Sequence, residues 1–346
     1  MKRTTIKDLA RLLALSPSTI SRALSDHPDI SDATKRRVRE AAQATAYVPN
    51  LRARYLRAQH SRLVALVIPE MNTFFVPGLI SGINRVLGRH DYSLVVFQSE
   101  DDVVLERKLM QLSLNLSADG VLLARASSTT ELSHLDALAA AGVPVVLLDK
   151  VLHTGRHATV SIDDASAAAL ATGHLLDAGH RRLVGLFADR RLLISAEREA
   201  GFRRAFEARG LDPALGHTVE VKLLGAFDEA MARAFASHAS PSGEGPTAVF
   251  AMSDELLVRA HHHLLAAGSR IPADVSLTAI SDGQAPYFLY PNVTHVRHAG
   301  AEVGAEAAHV LVGLMGRESA AAVDVRMPTR LVELASVAPR APSQDG

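Results

Sequence analysis

The chain has 346 residues, a length that predicts two or three domains. It contains no cysteine, which excludes disulfides, thiolate nucleophiles and cysteine-ligated zinc. The net charge of zero hides an asymmetry, because residues 1–60 carry 12 Lys and Arg against 5 Asp and Glu, and the remainder is acidic by the same margin. A basic segment on an acidic body is typical of a protein that binds nucleic-acid phosphate, although a solvated basic surface has the same charge.

No part of the sequence predicts export or membrane insertion. The N-terminal residues lack the apolar core of a signal peptide. No stretch reaches the roughly 18 uninterrupted apolar residues of a membrane span. We therefore expect a cytoplasmic protein without a membrane partner.

Two short helices are predicted at the N-terminus, over residues 5–13 and 16–24. Ser16 is placed to cap the second helix, and Pro17 fits its first position, where a missing N–H costs nothing. Ala14 and Leu15 leave only a tight turn between them. This arrangement predicts a helix-turn-helix that reads DNA.

A third helix is predicted over residues 31–46, with Ser31 as its cap, and Pro49 ends it. Residues 50–57 form an arginine-rich, helix-prone segment. We expect the apolar side chains of the three helices to form the small core of this unit: Ile6, Leu9, Ala10, Ile20, Leu24 and Val38.

From residue 62 onward, apolar runs alternate with amphipathic segments. Continuous apolar runs are typical of parallel strands covered on both faces. The predicted strands are 63–68, 92–97, 120–124, 143–148, 182–187, 218–223, 247–251 and 275–280. The predicted helices are 76–90, 102–116, 130–141 and 195–209. This order predicts an α/β core of two doubly wound parallel-sheet lobes, with a ligand cleft where the strand ends face each other.

The motifs resemble those of the LacI/GalR family of bacterial transcriptional regulators over nearly the whole chain. A single helix-turn-helix match is weak, but these motifs occur in the family's order. They are TIKDLA at 5–10, SPSTISR at 16–22, YVPN at 47–50, VIPEMNTFF at 67–75, DAGHRR at 177–182, REAGF at 198–202, SDE at 253–255, RIPADVS at 270–276 and PTRL at 328–331.

The resemblance implies a regulator, in most cases a repressor, whose DNA affinity is controlled by a small molecule bound in a core like that of periplasmic binding proteins. The implied domains are a helix-turn-helix at 1–48, a hinge helix and linker at 49–61 and a core at 62–338. Residues 339–346 have no apolar periodicity, so we expect them to form a disordered tail. Lobe 1 is expected at about 62–161 plus 292–322, and lobe 2 at about 162–291 plus 323–338.

The resemblance also implies which residues contact DNA. Pro17, Ser18 and Arg22 face the major groove, where Arg22 can pair with guanine O6 and N7; a phosphate contact or a helix-end charge is its alternative role. The side chains expected at phosphates are Thr5, Thr19, Ser21 and Thr34. The hinge residues expected in or beside the minor groove are Asn50, Ala53, Arg54, Leu56 and Arg57.

Leu56 is implied to wedge between central base steps and kink the duplex, at an unstacking cost that extra contacts offset. A linker helix with Leu56 packed internally is the alternative. We expect Leu56→Ala to lose specific operator binding and bending while keeping weak non-specific affinity. Gel-shift assays with bend-angle measurement test this, and an unchanged affinity and bend would contradict it.

The effector is expected between the lobes and is expected to be a sugar or a sugar derivative, with a nucleobase as the alternative. The implied contacts are Phe74, Phe75, Asp149, Lys150, Arg198, Ser253, Asp254 and Ser281. Each has a core or capping role as its alternative. Many family members carry Asp-Asp where this chain has Ser281 and Asp282, so either the Ser281 hydroxyl replaces the first carboxylate or the ligand is not a simple hexose.

No catalytic motif is visible, so we predict a binding protein rather than an enzyme, without a cofactor or metal. The run His261, His262 and His263 points in three directions on a helix, which favours a solvated face over a metal site. A solute-binding protein without a DNA role is the rival class, but such a protein lacks a basic N-terminal helix-turn-helix domain, which we call the head. Reading a pseudo-palindromic operator on double-stranded DNA requires two heads, so we expect a homodimer.

Overall fold

The structure is a computed structural model that describes residues 4–47, 61–152, 154–190, 192–221, 229, 231, 235, 245–316 and 323–340. They fall into two compact units, one before residue 62 and one from residue 62 onward. The predicted hinge residues 50–57 lie outside the described residues, as do residues 341–346 of the predicted tail.

The described part of the first unit contains three helices, Ile6–Leu13 (α1), Pro17–Leu24 (α2) and Asp32–Ala44 (α3). Each begins at a hydroxyl side chain that accepts a hydrogen bond from the backbone N–H three residues on, which satisfies one of the helix's unpaired donors. These caps are Thr5, Ser16 and Ser31. The predicted core is confirmed: Leu9, Ala10, Ile20 and Val38 are buried, and Ile6 and Leu24 pack against them.

The second unit is built on two six-stranded sheets covered by helices. Its strands are Leu63–Ile68 (β1), Ser93–Gln98 (β2), Gly120–Leu123 (β3), Val145–Leu148 (β4), Ala158–Ile162 (β5), Leu183–Phe187 (β6), Gly216–Glu220 (β7), Ala248–Ala251 (β8), Ser276–Ser281 (β9), Thr294–Arg297 (β10), Asp324–Met327 (β11) and Arg330–Val332 (β12). The α-helices that the structure describes here are Phe75–Arg89 (α4), Val103–Asn115 (α5), Asp136–Ala140 (α6), Asp164–Asp177 (α7), Leu193–Glu207 (α8), Asp254–Ala266 (α9), Ala285–Phe288 (α10) and Gly300–Met315 (α11). Short 3-10 turns lie at Ser133–Leu135 and Pro213–Leu215. Across the described parts of the chain, every helix is too short or too polar to cross a bilayer.

The sheet order defines two lobes. Lobe 1 has the order β11-β5-β4-β3-β1-β2, all parallel, and lobe 2 has the order β12-β10-β9-β8-β6-β7, in which only β12 is antiparallel. The predicted fold class, a helix-turn-helix head with two doubly wound lobes, is confirmed.

In the part of the chain that the structure describes, three segments cross between the lobes, at residues 163, 298–299 and 328–329. This corrects the predicted division. Strand β10 lies in lobe 2 because it pairs with β9, although 292–322 was expected in lobe 1. Strand β11 lies in lobe 1 because it pairs with β5, although 323–338 was expected in lobe 2.

Several predicted elements differ in extent. The helix expected over 130–141 is a 3-10 turn followed by the five-residue α6. The strand expected over 218–223 begins earlier, as β7. Strand β5 and helix α7 were not predicted, because β5 (ATVSI) carries two hydroxyl side chains and α7 begins with a run of small residues (ASAAA), so neither has a clear apolar period.

Helices α4 and α11 pack closely through Gly82, where a Cβ atom would overlap the carbonyl oxygen of Ala301. We expect Gly82→Ala to destabilise the chain by about 3 kcal/mol, since both backbones would have to move. Gly88→Ala, in the same helix but facing open space, is the matched control and should stabilise by about 0.5–1 kcal/mol. Urea unfolding measures both, and equal midpoints for the two variants would contradict the packing argument.

Candidate functional site

The carboxyl ends of parallel strands from both lobes meet around one cavity, as expected for doubly wound sheets. Residues following β1, β4, β6, β8, β9 and β10 line it. Seven of the eight predicted effector contacts are among the lining residues: Phe75, Asp149, Lys150, Arg198, Ser253, Asp254 and Ser281. The eighth, Phe74, is not; its backbone N–H instead donates to Glu255 Oε1 at 3.1 Å, which joins lobe 1 to lobe 2.

Arg198, on α8, is held rigidly at the wall of this cavity. Its Nε donates to Asp164 Oδ1 at 2.7 Å, and its Nη1 donates to the Met252 carbonyl oxygen at 2.5 Å. The arginine and aspartate side chains are each only 5% exposed. Burial raises the pKa of Asp164 to about 6, against the opposing effect of Arg198. The guanidinium is therefore oriented before a ligand arrives, and among the described residues nothing accepts from its Nη2.

Asp254 lies at the start of α9, which Ser253 caps by accepting from the Leu256 N–H. Its carboxylate accepts from the Ser281 hydroxyl at 2.5 Å and from the Asp282 N–H at 2.9 Å. Ser281 in turn accepts from the Gly283 N–H at 2.9 Å. The Ser281 hydroxyl is thus committed to positioning Asp254, and the carboxylates of Asp254 and Asp282 are the acceptors at this strand end.

Burial raises the pKa of Asp254 to about 7. Because folding takes up a proton here between pH 4 and pH 7, this group's contribution to stability is present at low pH and is lost as pH rises through about 7. We expect Asp254→Asn to remove that loss, so that its melting temperature falls less than the wild type's between pH 5 and pH 8.

Asp177→Asn is the control for the pH dependence of the melting temperature of Asp254→Asn. Arg209 lowers the pKa of Asp177, so its titration lies below this pH range and its variant should keep the wild-type slope. Thermal melts from pH 5 to pH 8 compare the three proteins. Parallel profiles for wild type and Asp254→Asn would contradict the assignment.

His298 occupies the second crossing between the lobes and faces the cavity. Its ring lies against Phe75, with centroids 4.6 Å apart. Burial, reinforced by Arg198, lowers the pKa of His298 to about 3, so the ring is neutral. Its Nε2 is buried and has no hydrogen-bond partner among the described residues. A buried nitrogen in this state favours a ligand that offers it a polar group.

The cavity is acidic. Among its described lining residues, five are acidic and two are basic: Glu70, Asp149, Asp254, Glu255 and Asp282 against Lys150 and Arg198. Burial also raises the pKa of Asp149 and of Asp282.

Sequence reasoning missed Glu70, Glu255 and His298 as lining residues and left Asp282 without a role. Position after a strand end was the available signal for Glu70 and Asp282, whereas His298 follows a strand that was not predicted.

In the first unit, Pro17, Ser18 and Arg22 are exposed on α2. The hydroxyls predicted at phosphates are mostly engaged in caps: Thr5 Oγ1 donates to Asp8 Oδ2 at 2.6 Å, while Thr19 and Thr34 bond to Ser16 and Ser31 at 2.8 and 3.0 Å. Their positions at helix N-termini still suit an anion. The exposed face of α2 is therefore the candidate DNA-reading surface.

The histidine run divides as its helical spacing predicts. His261 is buried, and its Nε2 donates to the Tyr290 carbonyl oxygen at 3.0 Å. His263 packs against the Phe235 ring, with centroids 5.5 Å apart. Two members of the run thus have structural roles on different sides of α9.

Comparisons with known proteins agree with both units. Residues 5–50 match the model of bacterial regulatory proteins of the lacI family, and residues 172–337 match a periplasmic binding protein-like domain. Catabolite control protein A of Priestia megaterium is 26% identical over 94% of this chain and 97% of its own length. The ribose operon repressor of Bacillus subtilis is 26% identical over 95% of this chain and 97% of its own length.

Solved structures give the same result. The lac repressor dimer bound to operator and the anti-inducer ONPF superposes with a TM-score of 0.83 at 19% identity, covering 97% of this chain and 100% of that one. The complex of the regulator CelR with cellobiose superposes with a TM-score of 0.68 at 26% identity, covering 96% of this chain and 100% of that one. From its two matched domains, in this order and on this fold, the chain belongs to the LacI family of bacterial regulatory proteins.

Proposed function

We propose that this chain is a transcriptional repressor that binds an operator through residues 1–48 and a hinge at 49–61. A sugar bound between its lobes raises or lowers its affinity for that operator. One observation carries the proposal: a polar cavity lies between two lobes that are connected, within the described residues, by three short crossings. A ligand there touches both lobes and the second crossing, at His298.

Such a ligand controls the angle between the lobes if it binds one arrangement more tightly than the other. Glu255 makes a contact between the lobes that a ligand can change, since it lies in lobe 2 and accepts a hydrogen bond from the Phe74 N–H of lobe 1. A ligand that competes for Glu255 weakens this contact, and one that bridges Arg198 and Glu70 strengthens closure. The sign of the response therefore depends on which contacts the ligand makes.

The lining favours a sugar over a nucleobase. Five lining carboxylates can accept from hydroxyls, and Arg198 Nη2 can donate to a sugar oxygen. A planar base would need stacking partners, and Phe75 is the one phenyl ring among the described lining residues. CelR, bound to cellobiose, and the ribose operon repressor are relatives whose names point to the same class.

We expect the working form to be a homodimer in the cytoplasm, because a two-fold operator needs two heads. Lobe 2 carries exposed aromatic side chains beside α10, with Phe288 80% and Tyr290 87% exposed. Aromatic exposure of this size is typical of a surface that another protein covers. The dimer supplies the second recognition helix.

The proposal is tested with operators selected from random duplexes by the full-length chain. Fluorescence anisotropy then measures the duplex Kd with and without each sugar that raises the melting temperature. We expect a change of about fivefold or more, with the sugar recovered chemically unchanged, as for a binding protein rather than an enzyme.

A chain truncated to residues 62–346 is the control. It should keep the sugar-induced melting shift and lose the duplex. If the truncated chain still binds the selected duplex, or if no stabilising sugar alters duplex affinity, the proposal is wrong.

A further inference from the structure

A second cavity lies beside the first in the same cleft. Asp149, Lys150, Leu192 and Ile194 line both cavities. The Asp164–Arg198 ion pair also links them, because Asp164 lines the second cavity and Arg198 the first. We call the cavity with Phe75 and His298 the inner compartment, and the other the outer compartment.

The two compartments differ in charge. The inner one is acidic, whereas the outer one pairs acidic with basic side chains from both lobes. The charged residues that line the outer compartment alone are Arg125, Asp163, Asp164, Glu197, Arg204 and Arg326. Acceptors and donors thus face the same space, which suits hydroxyl groups and opposes a phosphate, since any anion there meets carboxylates.

Two of these arginines can still donate hydrogen bonds to a ligand. Arg204 Nη2 donates to Ser166 Oγ at 3.3 Å, and Arg326 Nε lies 3.7 Å from Asp324 Oδ2. Both are long contacts, and both side chains are exposed to the cleft's solvent. A ligand can therefore recruit these arginines without breaking a buried network.

Resting on the proposed function, we propose that the effector is an uncharged glycoside of at least two rings, one ring in the inner compartment and the next in the outer. A single ring held by Asp254, Arg198 and His298 leaves Arg204 and Arg326 without contact. A second ring reaches residues beside the first and third crossings, at Asp163 and Arg326. The longer ligand consequently contacts the first and second crossings and reaches β11 beside the third, whereas a single ring contacts only the second.

The test uses the full-length chain and sugar pairs that differ by one ring: glucose with cellobiose and with maltose, galactose with lactose, xylose with xylobiose, and mannose with mannobiose. Melting shifts identify the sugars that bind, and calorimetry gives their Kd. We expect a disaccharide to bind at least tenfold more tightly than its single-ring partner. We also expect Arg204→Ala and Arg326→Ala each to weaken the disaccharide by about tenfold and the monosaccharide by less than twofold.

Arg156→Ala is the matched control, because Arg156 is also exposed and paired with one aspartate, at 2.8 Å, but lines neither compartment. It should leave both affinities unchanged. If monosaccharides bind as tightly as disaccharides and shift operator affinity, the two-ring proposal is overturned while the proposed function stands. If sugars of neither length bind, the proposed function fails, and the two-ring proposal fails with it.

Discussion

Replacing Arg198 with alanine should cost about 3–5 kcal/mol of stability and remove the effector response. The cost arises because Asp164 would remain buried without its partner, and the Met252 carbonyl oxygen would lose its donor. Differential scanning fluorimetry should show a fall in melting temperature of roughly 6–20 °C. Operator affinity of the surviving folded protein should no longer change when sugar is added.

Arg209→Ala is the control for this substitution. Arg209 also holds an aspartate, through two 2.7 Å bonds to Asp177, but at the surface, so its loss should cost less than about 1 kcal/mol. The double variant Arg198→Met with Asp164→Leu removes both buried charges and should recover much of the stability without recovering the response. A stable double variant that still responds to sugar would show that Arg198 has only a structural role.

Replacing Arg22 with alanine should lower specific operator affinity by about 1–3 kcal/mol for each head, with little change in non-specific binding. Arg22 is exposed in the last turn of α2, so its loss leaves the head core of Leu9, Ile20 and Val38 intact. Anisotropy titrations on the selected duplex and on a scrambled duplex separate the two affinities. The melting temperature and the sugar-induced shift should stay at wild-type values.

Arg11→Ala controls for charge alone, since the Arg11 side chain is 83% exposed on α1 and lies 3.6 Å from the Asp8 carboxylate. This substitution should weaken binding to both duplexes equally. It should also reduce the slope of log affinity against log salt concentration by at most about one. If Arg22→Ala weakens both duplexes equally as well, Arg22 contacts phosphate and does not read a base.

The fold was predictable where local signals agreed. Runs such as β1 and β6 are apolar throughout, because helices cover both faces of their sheets, and such runs identify buried parallel strands. Strands β10 and β11 gave no such signal: THVR and DVRM are short and carry charges. Their assignment depends on pairing with β9 and β5, which no local pattern encodes.

The site was predictable to the extent that it follows strand ends. Asp149 and Asp254 lie directly after or one turn beyond predicted strands, and both line the cavity. The commitment of Ser281 to Asp254 was not predictable, because it depends on a 2.5 Å contact between segments 27 residues apart. His298 was missed because it follows β10, and its unpaired Nε2 is visible only in the packed structure.

The exchange of strands between the lobes also determines when each lobe can finish folding during translation. Lobe 1 begins at β1 but needs β11 to cover the edge of β5, where Thr159 Oγ1 donates to Asp324 Oδ1 at 2.5 Å across 165 residues of chain. Until residue 327 leaves the ribosome, that edge can pair with another nascent chain. Polysomes making this protein should therefore present an unpaired β5 edge for about half of the elongation time, and we expect the yield to depend on chaperone supply.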